Sequence, residues 1–212
     1  MFRELAKQRQ FVINTREFNN NESQKAMNHS FQYSCSIDDK PVWVFDNLCT
    51  QEEAASISNG LNISAFKRNE VARPDTAEYK HWVVALSEAQ IRSLPVYERA
   101  MKQIKETTGK EYRAYRGYVN YASYGDMLFT HTDCLPDADE LTVLVYLCPE
   151  WNIEWGGETL FYNELDDCVF ASTPKPGRTV IFHGAIKHVG RPPNRVCYSP
   201  RYTLAFKLEP AE

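Results

Sequence analysis

The chain has 212 residues, 43% of them hydrophobic and 25% charged, with a formal net charge of −4 and an isoelectric point near 5.8. That length can bury one substantial core, so one catalytic domain is enough. The acidic balance argues against broad nucleic-acid binding; no apolar run is long enough to span a bilayer, and the start Met1-Phe2-Arg3-Glu4 lacks a signal-peptide core, so a cytoplasmic protein is expected.

Residues 1–35 are polar, with Asn19-Asn20-Asn21, and read as a solvated amino-terminal arm; covering a site or joining a homodimer are the alternatives. Residues 36–212 are expected to form a single domain. Within it, Pro41-Val42-Trp43-Val44-Phe45 reads as a strand, and Thr50-Gln51-Glu52-Glu53 is a capping-box signal for a helix. A second helix is predicted from Leu94 to Thr108, with Val96, Ala100, Met101, Ile104 and Thr108 on one face and Gly109 ending it. Gly177-Arg178-Thr179-Val180-Ile181-Phe182 has a turn signal followed by β-branched and aromatic residues, so it reads as a strand, and Arg201 to Leu208 is another strand-like run. No internal repeat or low-complexity linker argues for a second domain. The six cysteines, at 35, 49, 134, 148, 168 and 197, are scattered without CxxC pairs, which favours reduced thiols over a disulfide framework or a zinc site.

The chemistry is carried by His131-Thr132-Asp133, followed by His188 and then by Arg201 in Pro200-Arg201-Tyr202-Thr203-Leu204. In a strand alternate side chains share a face, so His131 and Asp133 can point together, and the run ending at Phe182 can deliver His188. Two imidazoles and one carboxylate can occupy one face of an octahedral Fe(II), leaving three positions for a co-substrate and dioxygen. An HxD pair alone is weak evidence; the distant histidine and the arginine beyond it give it weight. A planar guanidinium matches a carboxylate through two parallel hydrogen bonds.

With Asn120-Tyr121, Val145-Tyr146-Leu147, Trp155-Gly156-Gly157-Glu158-Thr159-Leu160 and Pro176-Gly177-Arg178 in order between and around these residues, the stretch from about Tyr118 to Leu208 resembles the Fe(II)- and 2-oxoglutarate-dependent dioxygenases of the prolyl-4-hydroxylase-like type. The resemblance implies a mainly β fold with flanking helices, a double-stranded β-helix or cupin-like jelly roll, with its catalytic core over about 112–208. It implies that His131, Asp133 and His188 bind iron and that Arg201 pairs with the distal carboxylate of 2-oxoglutarate. It also implies that the hydroxyls of Tyr121 and Tyr146 reach that carboxylate. Fe(II), 2-oxoglutarate and dioxygen are the expected cofactor and co-substrates, with ascorbate as a stimulant.

Several residues compete for these roles. His183 also follows the strand at Phe182, but Val189 and Arg201 fit the family better with His188 as ligand. His29 and His81 have no partner at metal-like spacing and read as structural. The insertion Arg191-Pro192-Pro193-Asn194-Arg195 lengthens the spacing from His188 to Arg201 and leaves Arg195 as the lesser alternative for the co-substrate. Cys134, beside Asp133, reads as an ordinary small side chain ahead of a pocket-rim residue.

The acidic residue in the triad favours hydroxylation over halogenation, which needs that position open. Loops Phe66 to Lys80, Tyr112 to Tyr118 and Leu135 to Glu140 are expected nearest the substrate. Arg68, Arg73, Arg116 and Arg191 could recognise a carboxylate or phosphate, though a solvated surface role is the expectation for each. The leading function is hydroxylation of a free amino acid or small polar metabolite, with release of succinate and carbon dioxide. A peptidyl-prolyl or other protein hydroxylase is the runner-up, and a non-catalytic metal-binding protein on the same scaffold is the third reading. A nucleic-acid demethylase of this fold is disfavoured by the acidic balance.

Overall fold

The computed structural model describes residues 33–211, so the polar arm falls outside the described residues up to position 32. Residues 33–35 are strand, not arm. β1 (Tyr33–Ile37) pairs antiparallel with β2 (Lys40–Phe45) through a turn in which Asp38 and Asp39 hold φ of 47° and 62°. Two successive positive φ values make the tight turn that matches strand twist, and aspartate tolerates them. Helix α1 (Gln51–Leu61) starts where the capping box predicts: Glu53 N–H donates to Thr50 Oγ1 at 3.2 Å, and Thr50 N–H donates to the Glu53 carboxylate at 2.8 Å.

The chain continues through β3 (Lys67–Glu70) and β4 (His81–Leu86) to the short α2 (Glu88–Ser93) and then α3 (Pro95–Thr108). Proline opens α3, where no N–H is needed, and Gly109 closes it at φ 74°. The remaining strands are β5 (Tyr112–Ala122), β6 (Leu141–Tyr146), β7 (Thr159–Tyr162), β8 (Cys168–Ser172), β9 (Thr179–His183), β10 (Lys187–Gly190) and β11 (Arg201–Pro210).

Eight strands form one sheet in the order β1-β2-β9-β6-β11-β5-β4-β3, and β10-β7-β8 form a second; every pairing among the described strands is antiparallel. This is the expected double-stranded β-helix. Alternation along β6 and β11 divides the interior in two. Val143, Val145, Leu204, Phe206 and Leu208 join a core with Val96, Ala100 and Ile104 of α3, on the outer face of the large sheet. Leu144, Tyr146, Phe161, Val180, Phe182 and Ile186 form a second core between the sheets. Thr142, Thr203, Ala205 and Lys207 share the inter-sheet parity, and there they line a chamber instead of packing.

Two strand assignments needed correction. The run ending at Phe182 is β9, but it ends at His183; the chain then turns through Gly184 to Ile186, and His188 rides on its own strand, β10, in the other sheet. His131 and Asp133 lie on an irregular segment, not a regular strand, held to β10 by one bridge between His131 and His188.

Candidate active site

The HxD segment is fixed by its main chain. His131 N–H donates to His188 O at 3.0 Å, His188 N–H to His131 O at 2.9 Å, and Asp133 N–H to Gly184 O at 2.7 Å. These bonds bring an irregular stretch against β10 and turn the three side chains together. The ligand atoms of His131, Asp133 and His188 all lie within 4.8 Å of one another, with His131 Nε2 3.4 Å from Asp133 Oδ1 and His188 Nε2 3.6 Å from Oδ2. Among the described residues this is the single such cluster, and His183 is not in it; its Nδ1 accepts from Ala185 N–H at 3.2 Å.

The second nitrogen of each ligand histidine is occupied. His131 Nδ1 lies 3.0 Å from Phe129 O and His188 Nδ1 lies 2.9 Å from Ile186 O, so each donates there and presents a bare Nε2 lone pair to the cluster. Burial pushes the His188 imidazole down to about 3, so it is neutral at ordinary pH. Two neutral Nε2 atoms and a carboxylate edge, spaced slightly wider than the roughly 3 Å edge of an octahedral face, suit a divalent metal with open positions. The donor set fits iron.

Asp133 has a second partner that the sequence reading missed. Lys207 Nζ forms an ion pair with Asp133 Oδ2, and both side chains are under a tenth exposed. Thr142 donates its hydroxyl to the same oxygen at 2.6 Å and accepts from Lys207 Nζ at 3.3 Å. Burial works against the charge of Asp133, yet the ammonium beside it holds the carboxyl well below its usual range; burial likewise opposes the Lys207 charge, and Asp133 keeps its pKa raised.

Arg201 spans from the large sheet to the small one. Its Nε donates to Gly157 O at 2.6 Å and its Nη2 to Thr159 Oγ1 at 2.9 Å. Gly190 lies flat against it: a Cβ there would stand 3.1 Å from Nη1. The side chain is buried and lines the chamber, and among the described residues no acidic side chain pairs with it. Burial lowers its pKa, but a guanidinium starts high enough to remain charged. A buried cation of this kind can pair with an anionic group that enters the chamber.

The two tyrosines stand in different settings. Tyr121 pairs in register with Tyr202, and its ring packs against Phe66 and Tyr202. Tyr118, Asn120, Tyr121 and Ala122 are the β5 residues that line the chamber, so Tyr121 borders it even though its ring packs on Phe66 and Tyr202. Tyr146 has the right parity, but its fully buried hydroxyl donates to Ser172 O at 2.8 Å and lies 2.7 Å from Thr159 Oγ1. The Arg201 guanidinium sits over its ring, 5.2 Å from the centroid, so Tyr146 supports the arginine from beneath.

The chamber, about 70 Å³, is lined by His131, His188, Arg201 and Lys207 together with His81, Asn120, Thr142, Thr159 and Thr203. His81, read as structural in the sequence, therefore belongs to the wall, with its Nε2 buried. The loop from Phe66 to Lys80 lies against the residues just before His131: Arg73 donates to Thr130 O and Tyr79 packs on Phe129 at 5.2 Å. Trp155 is not in the wall; Trp151 packs over Gly157, whose φ of 82° needs glycine. No described helix is long and apolar enough to cross a membrane.

Comparisons with known proteins agree with this fold. Residues 117–207 match the family model of the 2OG-Fe(II) oxygenase superfamily, a span holding the cluster, Arg201 and Lys207. No curated protein matches the sequence. Among solved structures, the fold is similar to a viral collagen prolyl hydroxylase from Paramecium Bursaria Chlorella virus-1, with TM-score 0.58 and 14% identity over 92% of this chain and 98% of that one. It is also similar to a Trichoplax adhaerens prolyl hydroxylase in complex with a hypoxia inducible factor peptide, at TM-score 0.59 and 16% identity over 79% and 83%. A third is HygX from Streptomyces hygroscopicus with nickel, 2-oxoglutarate and hygromycin B bound, at TM-score 0.60 and 12% identity over 80% and 83%.

Proposed function

We infer that this chain, a 2OG-Fe(II) oxygenase of the prolyl-4-hydroxylase-like type across residues 117–207, hydroxylates a C–H bond of a free amino acid or other small polar metabolite. The observation that carries the reading is the clustering of His131, Asp133 and His188, with both histidines in the wall of a chamber that also holds the buried Arg201.

In this reading His131, Asp133 and His188 hold Fe(II), and Arg201 holds the distal carboxylate of 2-oxoglutarate, steadied by Gly157, Thr159 and the Tyr146 ring. Bound iron, with 2-oxoglutarate and dioxygen, supplies the oxidising chemistry, and succinate and carbon dioxide leave as the hydroxylated product forms. The chain's own part is placement. Phe161 and Phe182 pack against the His188 ring, with centroids at 5.9 and 4.7 Å, and keep water from that side of the metal. Asn120, Thr142, Thr203 and His81 offer neutral hydrogen-bonding groups in the wall, which suits a small polar substrate more than an apolar one. The carboxylate of Asp133 fills the position that halogenation would require open.

A peptide substrate is the second reading. It is favoured by exposed apolar side chains on the approach to His131, with Tyr124 63% and Met127 55% exposed, and by the peptide complex of the Trichoplax relative. The test is succinate formation by iron-loaded protein from 2-oxoglutarate in air, against pools of amino acids, small metabolites and proline-containing peptides. Stimulation by the small-molecule pools alone supports the first reading, and stimulation by peptides alone replaces it with the second. Uptake of neither metal nor 2-oxoglutarate would leave a non-catalytic scaffold.

A further inference from the structure

A buried lysine in contact with a metal-ligand carboxylate is an unusual choice. The carboxylate is the only negative charge in the cluster, and a divalent cation draws most of its electrostatic attraction from that charge. Lys207 sits on it, through an ion pair to Oδ2, with Thr142 closing a three-membered polar ring between them. The contact is largely shielded from solvent, since the lysine and aspartate side chains are 8% and 6% exposed. The Tyr118 ring lies across the ammonium, 5.9 Å from its centroid. With two donors on Oδ2, Oδ1 is left facing His131 Nε2 at 3.4 Å.

We propose that Lys207 sets the balance of affinities at this site: it holds and neutralises Asp133, which keeps binding of a divalent cation alone weak and makes the loaded site more attractive to a dianionic co-substrate. The inference rests on the metal reading given above. Its physical content is a pair of opposite signs. An ammonium buried beside the metal position repels a dication and attracts a dicarboxylate, and both effects are large in a low-dielectric chamber. A lysine that only propped up the fold would, when removed, loosen the site for both ligands together.

Lys207 also has company in the strand. Arg201, Thr203, Ala205 and Lys207 alternate along one face of β11, so the same strand places a cation at each end of the chamber. Arg201 has no acidic partner among the described residues, whereas Lys207 is committed to Asp133. The two cations are therefore not interchangeable: one is arranged for the co-substrate and the other acts on it through the metal ligand.

The test compares the full-length chain with Lys207→Met, Lys207→Gln and Lys207→Arg, using Co(II) as the probe metal and the rise of Tm on ligand addition as the readout. Loss of the charge in Lys207→Met and Lys207→Gln should tighten Co(II) binding by at least about tenfold, while the Co(II)-loaded variants bind 2-oxoglutarate at least about threefold more weakly. Lys207→Arg, which keeps the charge, should stay near wild type in both. If an uncharged variant is unfolded without metal, Co(II) should restore its fold, because the metal then supplies the missing partner of Asp133. Unchanged or weaker Co(II) binding in both uncharged variants, or failure of Co(II) to restore a fold they lack, overturns the proposal. Absence of Co(II) binding by the wild-type chain would instead remove the metal reading itself, and this inference with it.

Discussion

His131 and His188 exchange both of their main-chain hydrogen bonds, at 3.0 and 2.9 Å, so the two histidines are set opposite each other by backbone, not by their rings. Replacing either side chain leaves that pairing in place. His131→Ala should therefore abolish Co(II) or Fe(II) binding while lowering Tm by no more than about 4 °C, the scale of a 1 kcal/mol change in a chain this size. His188→Ala should abolish binding too. His183→Ala should keep metal affinity within about threefold, since its ring is engaged with Ala185 and lies outside the cluster. Equilibrium titration with Co(II) separates the three, and a loss in His183→Ala equal to that in His188→Ala would reassign the ligand.

The pH dependence of the metal-free protein follows from His188. Burial holds its folded-state pKa at about 3, against an ordinary value of 6.5. The unfolded chain thus takes up a proton below pH 6.5 that the folded chain refuses, so the stabilisation is complete above that value and is lost as pH falls from 6.5 toward 3. At 1.36 kcal/mol per unit, the loss amounts to a few kcal/mol, roughly 4 to 5 at most. Asp133, held well below its ordinary value beside Lys207, acts in the same direction at the acid end. Thermal melts of metal-free protein from pH 7.5 to 4 should fall steeply, and His188→Leu should flatten the curve between pH 6.5 and 4.5. A wild-type Tm that is flat across this window would mean that the imidazole is not buried neutral.

The arrangement was unevenly legible in the sequence. Spaced motifs gave the triad, Arg201, the α1 cap and the end of α3, because each is a local signal: a residue type at a fixed offset. What such motifs do not carry is strand parity. The resemblance offers Tyr121 for the co-substrate, whereas the packing of its ring depends on register with β11, which sets Tyr202 opposite it. Lys207 carried a readable signal, a charge in the apolar run Leu204-Ala205-Phe206-Lys207-Leu208 at an even offset from Arg201, and counting in twos would have put it in the chamber. The place of His188 on a separate strand was not legible, because Gly184 to Ile186 is a turn whose direction depends on the packing of the second sheet. His81 was invisible for the same reason: β4 joins the chamber only by pairing with β5.

Arg201 and Gly190 form a size-limited contact, and each gives a test of the co-substrate end. Arg201→Ala removes a charge-assisted pair and should raise the KM for 2-oxoglutarate by about 100-fold or more, with Co(II) affinity in its absence within about threefold of wild type. Gly190→Ala places a methyl 3.1 Å from Nη1, tighter than ordinary contact, so the guanidinium must shift by a few tenths of an ångström. Its expected effect is a roughly tenfold rise in that KM, without loss of metal. Steady-state kinetics in 2-oxoglutarate, paired with Co(II) titration, reads both; equal KM values in Gly190→Ala and wild type would show that Arg201 has slack.

The two cores separate stability from site geometry. Phe182 lies between the sheets, fully buried, with its ring T-shaped to His188 at 4.7 Å and to Phe161 at 5.0 Å. Ile104 of α3 is as deeply buried but on the outer face of the large sheet. Phe182→Ala should cost about 3 to 5 kcal/mol and Ile104→Ala about 2 to 5, so urea unfolding alone distinguishes them poorly. Metal binding should not. Removing Phe182 frees the His188 ring to rotate and should weaken Co(II) binding by about tenfold, whereas Ile104→Ala, with the large sheet between it and the cluster, should leave Co(II) affinity within about threefold. Equal losses of affinity in the two variants would mean that the metal site senses global stability and not the packing of the inter-sheet core.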